Sequence, residues 1–584
     1  MKVTINNKKI KAEAGQTILD LALANGFEIP TLCHHPDLKV QANCRVCAVE
    51  VKGQNKLTTA CSTLAEEGMD ILTESPRVKK ARLLNLELIF AEHTRKCASC
   101  TLRFDCELLR LANKYKVQIN RFKERKETRK TYKFANAVEI DGTQCIDCRN
   151  CVEACSQIQK IDYLKMSGIG SGQEVVPVDN KDVACIYCGQ CTLHCPVAAA
   201  QEQYDGDKLE ALLKDKTKTV VVQFAPSIRV SIGEEFGMPY GENCEGKIVT
   251  ALKKMGFKNV FDINFGADIT TITEAEELLE RLKDKKAVFP MMTSCCPAWV
   301  AYVEFYHPEL IPNLTSARSP FMHLGGAIKT YWAQKKKIDP KNIVVVSIMP
   351  CTAKKYEAAR SEMFLNGNPA VDLVLTTREL AYLIKKNRID FKKLADGKTE
   401  QLFNNGSGAA AIYGASGGVM ESALRSANAI VCSTSKNKIC DNHLEFKEVR
   451  GLADFKEAIV DLDGKKLKVG VVNGIGNIKN ILPKLSKYHY IEVMSCSGGC
   501  LGGGGQPMPT TKAIRQKRLE GLYKIDKGRS IRRAHENKTM MEYYNWAKEN
   551  HLSSKVLHTK FKKSNGSILT VKKHKKDSLL GFLF

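Results

Sequence analysis

Two adjacent cysteines, Cys295 and Cys296, stand in the stretch TSCCPAW of this 584-residue chain. Neighbouring side chains point in different directions, so one metal cluster rarely binds both thiolates and one sulfur is left for other chemistry. Cys351 follows another apolar run, and Cys496 and Cys500 lie in CSGGCLGGGGQP. Those glycines let the backbone fold tightly around a bulky inorganic group. A phosphate-binding glycine loop is the alternative, but no Walker lysine follows.

Apolar segments precede each of these cysteines and alternate with helical stretches such as EAEELLERLKD. This alternation predicts parallel α/β layers. In open parallel sheets, functional sites form beyond the carboxyl ends of the strands, so three strand ends can bring Cys296, Cys351, Cys496 and Cys500 to one cluster. The segments predicted to be buried strands are residues 219–227, 287–292, 342–350, 371–377, 468–474 and 490–494.

Two earlier runs, CIDCRNCVEAC and CIYCGQCTLHC, both read C-x2-C-x2-C-x3-C. Zinc modules space their cysteine pairs more widely, and in two-cluster ferredoxins the fourth cysteine of each run binds the other cluster. The spacing therefore predicts two [4Fe–4S] clusters. Their ligands are Cys145, Cys148, Cys151 and Cys195 for one, and Cys185, Cys188, Cys191 and Cys155 for the other.

A third cysteine set lies near the amino terminus. It matches the plant-type ferredoxin motif in its C-x2-C pair and its distant fourth cysteine, although its first gap is ten residues. A [2Fe–2S] cluster is the favoured interpretation and a zinc site is the alternative. The set consists of Cys33, Cys44, Cys47 and Cys61.

A fourth set, in HTRKCASCTLRFDC, adds a histidine to three cysteines. His93 stands four residues before a C-x2-C pair, which favours a cluster ligand over a packed or solvated side chain. One imidazole in place of a thiolate makes a cluster less negative and raises its potential. The predicted ligands of this [4Fe–4S] cluster are His93, Cys97, Cys100 and Cys106.

Composition limits the function classes. The chain has 23 cysteines without an apolar signal-peptide core or an apolar run of about 20 residues, which predicts a cytoplasmic protein with no membrane span. Lys and Arg number 89 against 64 Asp and Glu, a net charge of +25. A solubilising surface is one interpretation and an acidic protein partner is the sharper one. No basic motif interleaved with aromatic residues favours nucleic acid.

The stretches TSCCPAW, MPCTAKKYE and MSCSGGCLGGGGQP resemble the three signature motifs of the iron-only ([FeFe]) hydrogenases. The upstream modules resemble the long clostridial-type form with four accessory clusters, so the resemblance covers roughly residues 1–560. It implies a ferredoxin hydrogenase that interconverts protons, electrons and H2. Implied partners are an acidic electron carrier such as ferredoxin, and maturation enzymes for a two-iron subsite.

The cofactors that the resemblance implies are an H-cluster, three accessory [4Fe–4S] clusters and one [2Fe–2S] cluster. The H-cluster is a [4Fe–4S] cube joined through a cysteine to a two-iron unit that carries carbon monoxide, cyanide and a bridging dithiolate with a central amine. Cys500 would be the bridging thiolate. Lys354 and Ser227 would each bind a cyanide ligand, and Met349 and Met494 would pack against the two-iron unit. The implied cube ligands are Cys296, Cys351, Cys496 and Cys500.

The resemblance also implies a proton relay. Cys295 would exchange protons with the bridging amine, and the route would continue through Glu274, Thr315, Glu277 and Arg281. Positions 274, 277 and 281 share one face of a predicted helix, which without the resemblance would indicate an exposed salt-bridge face. Thr315 stands where the best-known members have serine, and it keeps the hydroxyl.

Some positions depart from the family pattern or have no role in it. Phe321 stands where many relatives carry glutamine, Ser495 replaces a common alanine, and Ser497 is at a variable position. No direction of effect follows for these three. Buried free thiols are the default interpretation for the unassigned cysteines, which are Cys244, Cys432 and Cys440.

The predicted fold class is multidomain α+β and α/β, with ferredoxin-like modules before a large α/β domain with parallel sheets. The basic carboxyl-terminal tail of the chain is predicted to be disordered, and contact with an acidic membrane surface is the alternative. A subunit of an electron-bifurcating NAD/ferredoxin complex and a non-catalytic hydrogen sensor are the alternative functions. The predicted divisions are 1–78 ([2Fe–2S]), 79–125 (one [4Fe–4S] held by a histidine and three cysteines), 126–209 (two [4Fe–4S]), 210–506 (catalytic), 507–560 (helical wrap) and 561–584 (basic tail).

Overall fold

The computed structural model of the chain describes residues 1–91, 93, 97, 100–118, 121–123, 129–403, 406–434, 444–462 and 464–572. The amino-terminal region is a mixed five-stranded sheet packed on one helix. Its elements are β1 (Lys2–Ile5), β2 (Lys8–Lys11), α1 (Ile18–Ala24), β3 (Ala48–Val51), β4 (Thr58–Thr59) and β5 (Asp70–Leu72). The strand order is β2–β1–β5–β3–β4. Asn6 and Asn7 adopt positive φ in the hairpin turn, and Thr17 caps α1 through a capping box with Asp20.

Two helices and a small antiparallel region follow. The second cysteine run lies on a short helix close to the carboxyl-terminal half of the chain, because Gln190 donates a hydrogen bond to the Gly502 carbonyl at 2.9 Å. The elements are α2 (Pro76–Phe90), α3 (Glu107–Tyr115), β6 (Thr131–Phe134), β7 (Val138–Asp141), α4 (Asn150–Glu153), β8 (Leu164–Ser167), β9 (Glu174–Pro177), α5 (Gln190–Leu193), β10 (Ala200–Glu202) and α6 (Gly206–Lys214).

The large domain contains two four-stranded sheets. Its strands are β11 (Thr219–Phe224), β12 (Asn259–Asp262), β13 (Met291–Met292), β14 (Ile343–Met349), β15 (Phe364–Leu365), β16 (Asn368–Pro369), β17 (Leu373–Thr376), β18 (Phe455–Leu462), β19 (Lys465–Asn473) and β20 (Tyr490–Met494). The first sheet, ordered β12–β11–β14–β17, is entirely parallel. The second, ordered β13–β20–β19–β18, is parallel except for β18. The predicted α/β class with parallel sheets is confirmed.

Helices cover both sheets and continue into the carboxyl-terminal segment. The helix that matters most for the site, α8, is buried along most of its length. The helices are α7 (Glu245–Lys254), α8 (Asn264–Lys283), α9 (Pro297–Tyr306), α10 (Pro320–Ala327), α11 (Ala333–Lys336), α12 (Ala353–Ala358), α13 (Thr377–Lys386), α14 (Gly408–Ala411), α15 (Gly418–Thr434), α16 (Lys512–Gly528), α17 (Lys538–Glu549) and α18 (Ser553–Val556).

The predicted disordered tail is wrong for residues 561–572. Strand β21 (Leu569–Lys572) pairs antiparallel with β6, and the Ile568 amide donates to the Tyr187 hydroxyl at 2.7 Å. The segment is basic, and the apolar residues Ile568, Leu569 and Val571 that it contains are exposed to solvent. Its order comes from backbone pairing with a distant strand edge, which local sequence does not encode. Residues 573–584 lie outside the described part of the chain.

The unassigned cysteines differ from one another. Cys244 is fully buried and free, as predicted. The prediction is wrong for Cys432, which is disulfide-bonded and only partly buried. The end of α15 that carries Cys432 leads away from the core, and this exposure cannot be read from a local helical pattern. Cys440 lies outside the described residues. Within those residues, no helix is both long and apolar enough to cross a bilayer.

Candidate active site

Four cysteines from different parts of the chain line one cavity. Cys296 follows β13, Cys351 follows β14, and Cys496 and Cys500 follow β20. Strands β13 and β20 belong to the second sheet and β14 to the first, so the carboxyl ends of both parallel arrangements open on this cavity. The structure therefore brings together all four predicted cube ligands.

The loop after β20 closes around the cavity through its glycines. Gly499 has a φ of +71°, and a Cβ there would lie 2.8 Å from the Ser416 amide nitrogen. A Cβ on Gly504 would lie 2.5 Å from the Cys188 carbonyl oxygen. Only glycine permits both the left-handed backbone and this approach of one backbone to another. The loop thus joins the cavity directly to the second C-x2-C-x2-C-x3-C run.

The cavity wall is mostly apolar and includes Met349, Met494 and Phe321. Ser227 is an exception, because it is fully buried and its hydroxyl has no hydrogen-bond partner among the described protein atoms. An unpaired buried hydroxyl costs about 1–3 kcal/mol. The wall therefore suits a group that fills the cavity and offers an acceptor to Ser227.

Lys354 also lines the cavity, and its side chain is almost entirely buried. Its ammonium donates to Glu357 Oε2 at 2.7 Å and to the Cys295 carbonyl at 2.9 Å, and it lies 4.5 Å from the centre of the Phe321 ring. Burial alone lowers the pKa of this lysine, but the charge and hydrogen bond of Glu357 outweigh burial and raise it. A lysine has three N–H donors, so one remains for an anionic occupant.

The Cys295 side chain lines the same cavity. It packs with Ala267, Tyr413 and Met494, and the neighbouring Cys296 packs against the same group. Burial, followed by the nearby Glu274 carboxylate, raises the pKa of Cys295 well above the ordinary value. A neutral thiol in contact with the cavity can donate and regain a proton without remaining charged.

Three predicted relay residues, Glu274, Glu277 and Arg281, lie on α8, and Thr315 reaches them from the segment before α10. Thr315 Oγ1 donates to Glu277 Oε2 at 2.8 Å, and Arg281 donates to Glu277 Oε1 at 2.6 Å. Glu274 lies one helical turn deeper and is fully buried, whereas the side chains of Glu277 and Arg281 are 14% and 16% exposed. Burial is the main cause that raises the Glu274 pKa to about 8. The hydrogen bonds of the described residues do not join Glu274 to Thr315 directly.

Sequence reasoning missed three polar neighbours of this row. Tyr490 donates its hydroxyl proton to Glu274 Oε2 at 2.7 Å. Ser316 donates to Glu277 Oε2 at 2.8 Å and also contacts His558 Nδ1. The period of two in β20 was a usable signal, because Tyr490 lies on the same strand face as the predicted cavity residue Met494. No local signal points to His558, which is more than 200 residues away in sequence.

Comparison with known proteins bears directly on this cavity. Iron hydrogenase 1 of Clostridium pasteurianum is 40% identical over 583 residues, which is 96% of this chain and 100% of that relative. This chain belongs to the iron-only hydrogenase family. The family model for the iron only hydrogenase large subunit, C-terminal domain, matches residues 218–504, and that for the iron hydrogenase small subunit matches 512–564. The hydrogenase is therefore an oxidoreductase acting on H2.

Other matches cover the upstream modules and the fold. A 2Fe-2S iron-sulfur cluster binding domain matches residues 1–76 and a 4Fe-4S dicluster domain matches 114–199. The NADP-reducing hydrogenase subunit HndD of Solidesulfovibrio fructosivorans is 37% identical over 93% of this chain and 95% of its own length. An apo [FeFe]-hydrogenase of Chlamydomonas reinhardtii, 36% identical, superposes with a TM-score of 0.54 over 62% of this chain and all of its own. The hydrogenase thus has iron–sulfur modules followed by the α/β domain.

The amino-terminal thiols of this hydrogenase are paired two and two. The Cys47 and Cys61 sulfurs are 3.4 Å apart, and the Cys44 amide donates to the Cys33 sulfur at 3.4 Å. Two thiolates for each of two irons suit a [2Fe–2S] cluster better than one tetrahedral zinc ion does. Among the described residues, no three His, Cys, Asp or Glu side chains form a site for a single metal ion.

His93, which precedes Cys97, Cys100 and Cys106, is buried, and a hydrogen bond fixes the orientation of its ring. Its Nδ1 lies 2.9 Å from the Gln144 carbonyl oxygen. Because a carbonyl only accepts, Nδ1 carries the proton and the lone pair is on Nε2, the arrangement usual for a metal-bound histidine. Burial raises the pKa of Cys100 to about 11, and the thiols of Cys106 and Cys97 lie close enough to contribute. His93 and these three thiols thus occupy one region.

The two ferredoxin-like runs exchange their fourth cysteines in space. Burial, then the charges of Cys195, Cys151 and Cys145, raises the pKa of Cys148. For Cys191 the corresponding neighbours are Cys188, Cys185 and Cys155. Gln159, which is 1% exposed, lines a space beside this second group, and neither end of its amide has a hydrogen-bond partner among the described atoms. A sulfide-bearing cluster would accept from that amide.

The second group of thiols adjoins the catalytic cavity. Burial raises the pKa of Cys188, and the charge of Cys496 is the next largest cause. Thr352, next to Cys351, donates to the Tyr187 carbonyl at 2.8 Å. This group of thiols therefore lies next to the cavity.

Proposed function

We propose that this hydrogenase catalyses the reversible reaction of two protons and two electrons to H2, with electrons exchanged with ferredoxin through its iron–sulfur modules. The observation that carries the proposal is the meeting of four thiols and one separate thiol, Cys295, in a single mostly apolar cavity. Four thiols can anchor a cluster while the fifth exchanges protons. The apolar walls around them exclude competing ligands.

Cys296, Cys351, Cys496 and Cys500 would hold an H-cluster, with Cys500 as the thiolate shared with its two-iron unit, and this group would supply the open metal position and the basic amine of the reaction. The unpaired hydroxyl of Ser227 and the remaining N–H of Lys354 suit cyanide ligands, because both are donors in a cavity otherwise poor in them. Met349 and Met494 provide soft, polarisable contacts.

The proton path uses the chain's own residues. The thiol of Cys295 exchanges its proton with Glu274. Thr315, whose hydroxyl donates to Glu277 Oε2 at 2.8 Å, is the next carrier, and the step to it from Glu274 needs a bridging water or a side-chain movement. Arg281 anchors Glu277 where the helix reaches partial exposure. The gradient from a fully buried carboxyl to a partly exposed ion pair supports transfer between the cavity and solvent.

The electron path would use one [2Fe–2S] cluster and three accessory [4Fe–4S] clusters. The contact of His93 with Gln144 and the proximity of Cys188 to Cys496 support this series. The net charge of +25 favours an acidic carrier such as ferredoxin. The predicted domain divisions, a cytoplasmic location and the need for maturation enzymes remain part of this proposal.

The hydroxyl at position 315 offers a specific test of the proton path. Thr315→Val keeps the shape but removes the donor to Glu277, and we expect H2 turnover to fall about tenfold or more because one hydrogen-bonded carrier is lost. Thr315→Ser, which retains a hydroxyl, is the matched control and should stay near the parent rate. Full turnover in the valine variant would show that protons bypass this hydroxyl.

The proposed function itself is tested by expressing the full chain together with maturation enzymes. We expect infrared stretches of metal-bound carbon monoxide and cyanide, and H2 evolution with reduced viologen or reduced ferredoxin. Infrared bands without gas evolution would instead favour a hydrogen sensor. Absence of the bands in matured protein would contradict the proposed cofactor.

A second candidate is the catalytic subunit of a larger complex that reacts with NAD(P)H. The similarity to an NADP-reducing hydrogenase subunit over almost the whole chain favours it. The sequence contains no glycine-rich dinucleotide fingerprint, so nicotinamide would react at a partner subunit. Turnover with reduced ferredoxin by the isolated chain supports the first candidate; dependence on NAD(P)H and added subunits supports the second.

A further inference from the structure

The two carboxyl oxygens of Glu274 differ in their hydrogen bonding. Glu274 Oε2 accepts the hydrogen bond from Tyr490 at 2.7 Å, whereas Oε1 has no partner among the described protein atoms. Both side chains are completely buried. A buried carboxyl pays a desolvation cost for its charge, so the position of its single protein donor decides which oxygen remains available.

The other ionisable groups around Glu274 oppose its ionisation. Glu277 on the same helix and Glu492 on β20 both raise its pKa, after burial, and Tyr490 alone among the contributing groups lowers it. Cys295, from the loop after β13, and Tyr413 face the same carboxyl and are themselves affected by its charge. The carboxylate of Glu492 is occupied by the Gly417 and Met420 amides.

We propose that Tyr490 is a positioning residue of the proton path: its hydroxyl holds Glu274 with Oε1 directed to exchange with Cys295 and keeps the carboxyl ready to lose its proton. This inference rests on the relay of the proposed function. During H2 oxidation, the S–H bond of Cys295 breaks and an O–H bond forms at Glu274 Oε1, while the thiol regains a proton from the cavity. During H2 evolution the same proton moves in the opposite direction.

The role of Tyr490 predicts the direction in which its removal shifts the pKa of Glu274. Tyr490→Phe deletes the one donor that favours the carboxylate, so Glu274 should lose its proton at higher pH, by about one pH unit or a tenfold change in proton affinity. H2 oxidation requires the carboxylate and therefore rises with pH through this value, whereas evolution requires the acid and falls. The pH dependences of H2 oxidation and of H2 evolution should therefore both shift to higher pH in the variant.

The first measurement needs no turnover. Infrared difference spectra of the full chain carrying only its iron–sulfur clusters are recorded against pH, and Glu274→Gln identifies the C=O band of the Glu274 acid. We expect this band to titrate at higher pH in Tyr490→Phe. Tyr544→Phe is the matched control, because Tyr544 donates at 2.9 Å to Glu276 on the same helix but away from the cavity. It should leave the band unchanged.

The second measurement is the pH profile of H2 turnover in matured protein. Tyr490→Phe should shift the pH profiles of H2 oxidation and H2 evolution. Adding it to Glu274→Gln should leave the pH profile of that variant unchanged, since Tyr490 acts through the Glu274 carboxyl. An unmoved infrared band, or an equal effect of Tyr490→Phe with and without the Glu274 carboxyl, overturns the inference. Failure of the proposed function is distinguishable, because it appears as absent turnover in the parent protein while the infrared titration still reports on Tyr490.

Discussion

Replacing Cys295 by alanine is expected to reduce H2 turnover in both directions by about 100-fold or more, the usual contribution of a positioned acid–base group. The thiol is the titratable side chain that lines the cavity beside Glu274, and its high pKa keeps it protonated and able to donate. The four thiols that would hold the cluster are unchanged by this substitution. Infrared bands of carbon monoxide and cyanide should therefore persist while gas production and uptake fall.

Cys244→Ala provides the matched control for this experiment. Cys244 is also a fully buried free thiol, and burial raises its pKa to about 12, but it does not line the cavity. We expect its loss to leave H2 turnover close to the parent rate. If Cys295→Ala turns over as fast as the parent with intact infrared bands, the proton enters by another route and the role given to Cys295 is wrong.

Replacing Lys354 by methionine is expected to prevent stable retention of the two-iron unit. The substitution keeps the length of the side chain but removes the ammonium that would bind a cyanide ligand, and it leaves the Glu357 carboxylate buried without its cation. Breaking a buried ion pair in this way typically lowers the free energy of unfolding by about 3–5 kcal/mol. We expect infrared carbon monoxide and cyanide intensity to fall by most of its parent value, together with turnover.

A stability loss alone would not explain that result, so a second buried lysine is needed for comparison. Lys329 is 3% exposed in its side chain and pairs with Asp372 at 2.7 Å, outside the cavity lining. Lys329→Met should lower the free energy of unfolding, measured by denaturant titration, without loss of the infrared bands. Equal band intensity in Lys354→Met and Lys329→Met would contradict the assignment of Lys354 to the cofactor.

The iron–sulfur chemistry could be predicted because the cysteines that indicate it lie close together in the sequence. Thiols two or three residues apart remain neighbours in almost any backbone conformation, so C-x2-C spacing survives into the folded chain without knowledge of the fold. The ends of several strands could also be predicted from the sequence, because apolar runs such as residues 343–349 are typical of strands buried on both faces. The short strand β13 was predicted too long, because Pro290 has no N–H to donate to a ladder.

Other features depended on residues far apart in sequence. Strands β12 and β18 were not predicted. The sequence NVFD of β12 has only two apolar residues, and in β18 Lys456 is buried whereas Ile459 is 71% exposed, so polarity along that strand does not follow burial. The pairing of β21 with β6 joins segments more than 400 residues apart, and nothing in a basic, exposed strand specifies that partner. Such pairings follow from the whole fold.

From its sequence alone, this chain could be assigned to cysteine-bound iron clusters, parallel α/β layers and a family with a proton relay along one helix face. Tertiary structure alone decided that two different sheets direct their strand ends at one cavity and that Tyr490 holds Glu274 across 216 residues of chain. The physical reason is distance along the chain. Spacing and periodicity report contacts within a few residues, whereas burial, charge pairing and the choice of a hydrogen-bond partner are set by which distant segments pack together.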